Sequence, residues 1–167
     1  TERDASLVER LRRIMLRTVW AITEQMKLGK FDTVDSEVSF RMDKEKQTYI
    51  GRVDRIDTME TEENIYVKIV DYKTGKKDLS LSDLYYGLQL QLMVYLRAAV
   101  DKQTRRSKKM VIPAGVLYYH IEDPFVTSRL DFEEKRTYLL NELLMRGLVN
   151  EEDPVLPSLD ATLAGEE

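Results

Sequence analysis

Hydrophobic positions along the chain change their period several times, and each change marks an element. From Ser6 to Leu28, Leu7, Leu11, Ile14 with Met15, Val19, Ile22 and Met26 recur at helical spacing. Arg10, Arg12, Arg13 and Arg17 occupy much of the other side, which is either a solvated face or one turned towards nucleic acid. Asp4 or Ser6 can cap this helix and Gly29 can close it. Phe31 to Met42 then alternates, with Val34, Ser36, Val38 and Phe40 against Asp35, Glu37, Ser39 and Arg41. Together with Thr48–Asp57 and Asn64–Lys73 it predicts three consecutive strands in a meander. Asp43 to Lys46 reads as a charged turn, and Thr58 to Asn64 as a polar hairpin loop.

A second helix is predicted from about Ser80 to Val100, with Leu81, Leu84, Leu88, Leu92, Tyr95 and Ala99 as its apolar stripe. Ser80 and Asp83 fit a capping box. Asp101 to Met110 reads as a basic polar loop, and Val111 to Ile121 as a strand. Asp131 to Arg146 reads as a last helix, capped by Asp131 with Glu134 and closed by Gly147. Residues 1–150 thus read as one domain and 151–167 as an acidic, extended C-terminal tail. The order α-β-β-β-α-β-α implies an α/β fold, a central mixed β-sheet flanked by helices.

Composition narrows the function classes. The 167 residues are 43% hydrophobic and contain no cysteine and one histidine. That excludes a disulfide framework, a thiolate metal site and a His-rich zinc site. No apolar run approaches the roughly 18 residues of a membrane span, and no signal peptide is visible, so the cytoplasm is the expected compartment. The net charge of −4 does not announce a nucleic-acid binder, yet an acidic metal site can mask a local basic groove.

The chemistry concentrates in Gly51 to Gly75. If the second and third strands pair, Asp54 and Asp71 can meet at one end of a sheet. Asp71 and Lys73 are two apart and so share a face. Two carboxylates can hold Mg²⁺ or Mn²⁺ while leaving positions for water and phosphate, with the Tyr72 backbone carbonyl as a further ligand. Lys73 can orient an attacking water and stabilise charge in the transition state. Adjacent carboxylates keep it protonated, which argues against a general base. Lys76 and Lys77 form either a solvated turn or a DNA-binding phosphate contact. Asp57 reads as a strand-end salt bridge with Arg55, and His120, Tyr118 and Tyr119 as strand packing.

Five segments in this order and spacing carry a resemblance: SEVSF (36–40), GRVDRID (51–57), IVDYKTG (69–75), YYGLQLQLMVYL (85–96) and PAGVLYYHIEDP (113–124). They resemble the PD-(D/E)xK nuclease superfamily, within it the RecB-type nuclease domain, and in particular the C-terminal nuclease domain of AddB helicase–nuclease subunits. The resemblance implies a restriction-endonuclease-like core and a metal-dependent deoxyribonuclease, an exonuclease acting with a helicase–nuclease complex in DNA double-strand-break repair. It implies that Asp54 is the first metal-binding acid and that Asp71 and Lys73 are the acid and lysine of the second motif. Gln91 and Tyr95 match the family's QxxxY motif, and Glu37 matches a recurrent acid on the preceding strand.

Two departures qualify that expectation. The His or Glu that the family supplies from an upstream helix has no clear counterpart. The cysteines that hold an iron–sulfur cluster in AddB-type domains are missing, so no cluster can form within this chain. This implies either an excised domain or a stand-alone homologue. There is no GxxxxGK[ST] loop, so helicase activity is not encoded here. The rival readings are a non-catalytic nucleic-acid-binding or scaffolding module that keeps the nuclease fold, and a Mg²⁺-dependent phosphoesterase for small molecules.

Overall fold

A computed structural model describes residues 2–44, 47–75, 80, 82, 86, 90–152 and 154–160. Helix α1 (Glu2–Lys27) leads into strands β1 (Asp32–Lys44), β2 (Gln47–Glu60) and β3 (Asn64–Lys73). Helix α2 (Gln91–Arg106), strand β4 (Met110–His120), helix α3 (Phe132–Glu142), strand β5 (Arg146–Val149) and helix α4 (Val155–Leu159) follow. The five strands form one sheet in the order β1-β2-β3-β4-β5. The β1–β2, β2–β3 and β4–β5 pairs are antiparallel, and β3–β4 is parallel. This is the mixed sheet with flanking helices that the element order predicts.

Strand β3 is central because its sequence suits burial on both faces. Ile65 to Asp71 is buried without interruption, as expected of a strand covered from both sides. Ile65, Val67 and Ile69 pack with Ile56, Val116, Leu92 and Ala99 under α2. On the opposite face, Val70, Leu117 and Tyr119 pack with Ile22 of α1 and with Met145. Phe31, Met59, Tyr66, Ala114 and Val155 complete that second layer, which α4 closes.

The opposite face also carries charge. Arg55 makes a bidentate pair with Asp57, both contacts at 2.7 Å, and Asp57 is fully buried. Thr33 donates to the same carboxylate at 2.8 Å, and Lys68 Nζ stands 3.3 Å from it. The expected Arg55–Asp57 pair is present, but it lies in the sheet interior rather than at an exposed strand end. Burial lowers the Lys68 pKa, with Asp57 opposing and Arg55 adding to the effect.

Several boundaries differ from the sequence reading, each for a physical reason. Asp131 and Glu134 form the expected capping box, but α3 ends at Glu142, where Leu143 turns into the core. Gly147 is therefore no helix stop. It sits in β5, where a Cβ would fall 2.0 Å from the Val116 carbonyl oxygen, so only glycine permits that strand approach. Asp101–Arg106 is not a loop but the last turns of α2, and Arg105 and Arg106 complement its C-terminal carbonyls. Within the segment read as an extended tail, Val155–Leu159 is a short helix with Val155 and Ser158 buried; residues 161–167 lie outside the described residues. So does most of the predicted helix before Leu90, including Leu81, Asp83, Leu84, Gly87 and Leu88.

Helix α1 buries little. Ala21 is its one buried residue, and Leu7, Leu11, Met15 and Val19 of the predicted core stripe are more than half exposed. Besides Ile22 in the apolar layer, it is held by charge: Arg13 and Arg17 both grip Asp123, at 2.5 and 2.7 Å, just beyond β4. No described helix is long and apolar enough to cross a membrane.

The buried charge network sets a stability prediction. Asp57→Ala leaves Arg55 and Lys68 buried without their shared carboxylate. It should cost about 3–5 kcal/mol in urea unfolding. A loss below about 1 kcal/mol, the range of an exposed pair, would show that the network contributes little.

Candidate active site

The site forms where the β2–β3 ladder stops. Pairing runs from Glu60↔Ile65 to Arg55↔Val70 and goes no further. Beyond the last pair, Asp54 Oδ2 accepts the backbone N–H of Tyr72 at 2.9 Å. A carboxylate thus takes a main-chain donor that the ladder no longer pairs. On the adjoining strand, Lys73 Nζ lies 2.6 Å from Asp71 Oδ2. Since Tyr72 stands between Asp71 and Lys73, this one N–H bond ties Asp54 to both.

Strand β4 supplies the floor. Its parallel register sets Tyr118 beside Asp71 and His120 beside Lys73. The Lys73 ammonium lies 5.6 Å from the centre of the Tyr118 ring. His120 Nδ1 stands 2.7 Å from the Gly75 carbonyl, which makes Nδ1 the donor. Sequence reasoning missed this pair of neighbours. The two-residue spacing of Tyr118 and His120 is visible, but the register that aligns it with Asp71 and Lys73 is not.

Burial dominates the electrostatics. It raises the Asp71 pKa, Lys73 opposes the shift, and the nearby Asp54 charge adds to it. Burial works against the Lys73 ammonium, yet Asp71, Tyr118 and Asp54 outweigh it and the Lys73 pKa is raised. Lys73 therefore stays protonated at neutral pH. Burial, helped by Asp71 and opposed by Lys73, also raises the Tyr118 pKa.

Helix α2 brings the next pair. Gln91 Nε2 donates to the Tyr95 hydroxyl at 2.5 Å, as their i,i+4 spacing allows. The Tyr95 ring meets Phe40 edge-on at 5.4 Å. Both rings lie over Gly51, where a Cβ would come within 2.8 Å of Tyr95 and 2.9 Å of Phe40. Gly51 is what lets α2 settle onto β1 and β2 here. Neither Gln91 nor Tyr95 hydrogen-bonds to Asp54, Asp71 or Lys73 among the described residues.

Glu37 is not gathered in. It falls between the Ser36↔Arg55 and Val38↔Val53 pairs, level with Asp54, but at φ 54°. That left-handed conformation costs about 1–2 kcal/mol for a non-glycine residue. Its carboxylate pairs with Arg52 at 2.8 Å, in solvent. Lys76 and Lys77 lie outside the described residues.

The donor set suits a hard divalent cation. Asp54 and Asp71 each have one oxygen outside the contacts above, and no cluster of three or more His, Asp or Glu exists among the described residues. Two carboxylates and a strand carbonyl leave open the positions that Mg²⁺ or Mn²⁺ fills with water and phosphate.

A sequence model described as the PD-(D/E)XK nuclease superfamily matches residues 1–163. The chain belongs to this superfamily. Among its relatives, an ATP-dependent helicase/deoxyribonuclease subunit from Ruminiclostridium cellulolyticum is 37% identical over 179 residues, covering 99% of this chain and 16% of that protein. Proteins of the same name from Clostridium novyi and Lachnoclostridium phytofermentans are 37% and 40% identical, covering 94% and 100% of this chain and 15% and 14% of their own lengths. The chain thus spans about a seventh of the length of these superfamily relatives.

The raised Asp71 pKa has a consequence for stability. A carboxylate whose folded pKa is raised destabilises the fold when ionised, and that penalty disappears as pH falls through the raised value. Asparagine cannot ionise. Asp71→Asn should therefore melt no lower than the wild type at neutral pH in EDTA, while losing divalent-ion binding. A melting temperature several degrees lower would contradict this sign.

Proposed function

We propose that the chain is a metal-dependent deoxyribonuclease domain that hydrolyses DNA phosphodiester bonds as an exonuclease, as part of a helicase–nuclease acting in DNA double-strand-break repair. The observation that carries the reading is the convergence of Asp54, Asp71 and Lys73 at the end of the β2–β3 ladder, tied together through the Tyr72 N–H. The name its relatives bear, a helicase/deoxyribonuclease subunit, supports the same substrate.

In this reading Asp54, Asp71 and the Tyr72 carbonyl would hold Mg²⁺ or Mn²⁺, which would supply Lewis-acid charge to the phosphodiester. Lys73, protonated and ion-paired with Asp71, donates to a phosphate oxygen and orients the attacking water. Its ammonium is paired with Asp71 and lies 5.6 Å from the Tyr118 ring centre, two contacts that favour its charged form. The Gln91 amide and Tyr95 phenol, already hydrogen-bonded to each other, present a second polar pair for the strand's phosphates. Lys76 and Lys77 are candidates for DNA-backbone contacts by sequence alone.

One observation favours a second reading. Glu37 is turned to Arg52 and the described residues hold no third acid at the site, which suits a nucleic-acid-binding or scaffolding module without catalysis. Cleavage separates the two. Wild-type protein should degrade end-labelled single-stranded DNA with Mg²⁺ or Mn²⁺ and not with EDTA. Asp54→Ala and Asp71→Ala should abolish cleavage, and Lys73→Ala should slow it on the order of 10²–10³-fold, the loss typical of a transition-state donor. Equal rates in wild type and all three variants would reject the nuclease assignment.

A further inference from the structure

One face of α2 runs beyond the QxxxY pair. Gln91, Tyr95, Ala98, Lys102 and Arg105 follow one another at spacings of four and three, so they form a single stripe. The stripe lies beside the buried line of Leu92, Ala99 and Gln103 and faces β1 and β2. Its chemistry changes along its length, from polar at Gln91 and Tyr95, through small at Ala98, to cationic at Lys102 and Arg105. Between this stripe and the two strands lies a groove of about 370 Å³, within the ~300–1,000 Å³ range of ligand sites.

The groove has an apolar floor and a basic rim. Val38, Phe40 and Val53 form the floor, and Val53 directly precedes Asp54. Phe40 is the ring that meets Tyr95, so the groove begins beside the Gln91–Tyr95 pair. It leads some ten residues along α2, about 15 Å at 1.5 Å per residue, to Arg105. Asp35 holds Lys102 and Arg106 on the rim, each at 3.0 Å. Arg41 is exposed on the β1 side and loosely paired with Asp43 at 3.3 Å. Arg105 is exposed and makes no ion pair among the described residues. Asp101, the acid within the groove, is neutralised by Arg97 at 3.0 Å.

We infer that this groove seats single-stranded nucleic acid running along α2 away from the Gln91–Tyr95 pair, with a base on the apolar floor and phosphates on Arg41 and Arg105. An apolar floor between cations matches a strand whose bases are unpaired and whose backbone is anionic. The cations stand on opposite walls, β1 and α2, so they track a backbone crossing the groove. The identity of the occupant rests on the nuclease reading; the groove and its charge do not.

Anisotropy of a fluorescein-labelled oligothymidylate, with Ca²⁺ to avoid cleavage, tests the assignment. The double variant Arg41→Ala/Arg105→Ala should bind about tenfold more weakly, with the slope of log K against log salt reduced by about 1.4. Ala98→Leu, which narrows the groove without altering charge, should weaken binding and leave that slope unchanged. Arg12→Ala, on the exposed face of α1, should bind as the wild type does. Wild-type affinity in both groove variants, an equal loss in Arg12→Ala, or no binding by the wild type overturns the proposal. The first of these results in a chain that still cleaves DNA removes the groove and leaves the nuclease. Weakened binding in the groove variants of a chain that cleaves nothing keeps the groove and removes the nuclease.

Discussion

A carboxylate standing in for a strand holds the site together. Where β2 and β3 stop pairing, at Arg55↔Val70, the backbone no longer dictates how far apart Asp54 and Asp71 sit. The Asp54 carboxylate restores the link by taking the Tyr72 N–H. A hydrogen bond to an ionised acceptor is stronger than a neutral ladder bond. Two acids that repel each other are thereby fixed near one another, with Lys73 as the neighbouring positive charge. The cost of burying Asp71 appears in its raised pKa, the kind of local destabilisation that reactive sites carry.

The two faces of the sheet divide the work. One carries Asp71 and Lys73 beside Tyr118, at the edge of the apolar cluster under α2 that Tyr118 itself joins. The other carries the Arg55–Asp57–Lys68 network, in which a bidentate guanidinium–carboxylate pair, a lysine and Thr33 satisfy one buried acid. Arg55 follows Asp54 in the chain, so this network holds β2 from behind at the point where its ladder with β3 ends. A buried ion pair adds little to stability over an apolar replacement, but removing one partner is severe. That asymmetry makes the network a device for a fixed strand position rather than for a deeper energy well.

Much of this is legible in the residues. The period of two in β3 puts Asp71 and Lys73 on one face, and the i,i+4 spacing puts Gln91 beside Tyr95; the structure has both. The mixed sheet follows from the order of periods. What stays hidden depends on partners distant in sequence. Tyr118 and His120 adjoin the site only through the parallel β3–β4 register. Asp57 reads as surface because charges usually are, and only its three partners make burial tolerable. Gly147 reads as a helix stop because a close strand approach leaves the same mark in one sequence. Glu37, expected at the site, is turned aside by its backbone and by Arg52. The apolar stripe of α1 has the right spacing for a core, but only its C-terminal half reaches the sheet, through Ala21 and Ile22.

The central proposal is that the Asp54–Tyr72 bond holds Asp54 where it and Asp71 can share one divalent cation. Anomalous diffraction from a crystal soaked in Mn²⁺ tests it most directly. The account predicts one Mn²⁺ peak between the Asp54 and Asp71 carboxylates, with Asp54 Oδ2 still on the Tyr72 N–H. A crystal with no peak there, or with Mn²⁺ bound only at surface carboxylates, would contradict it.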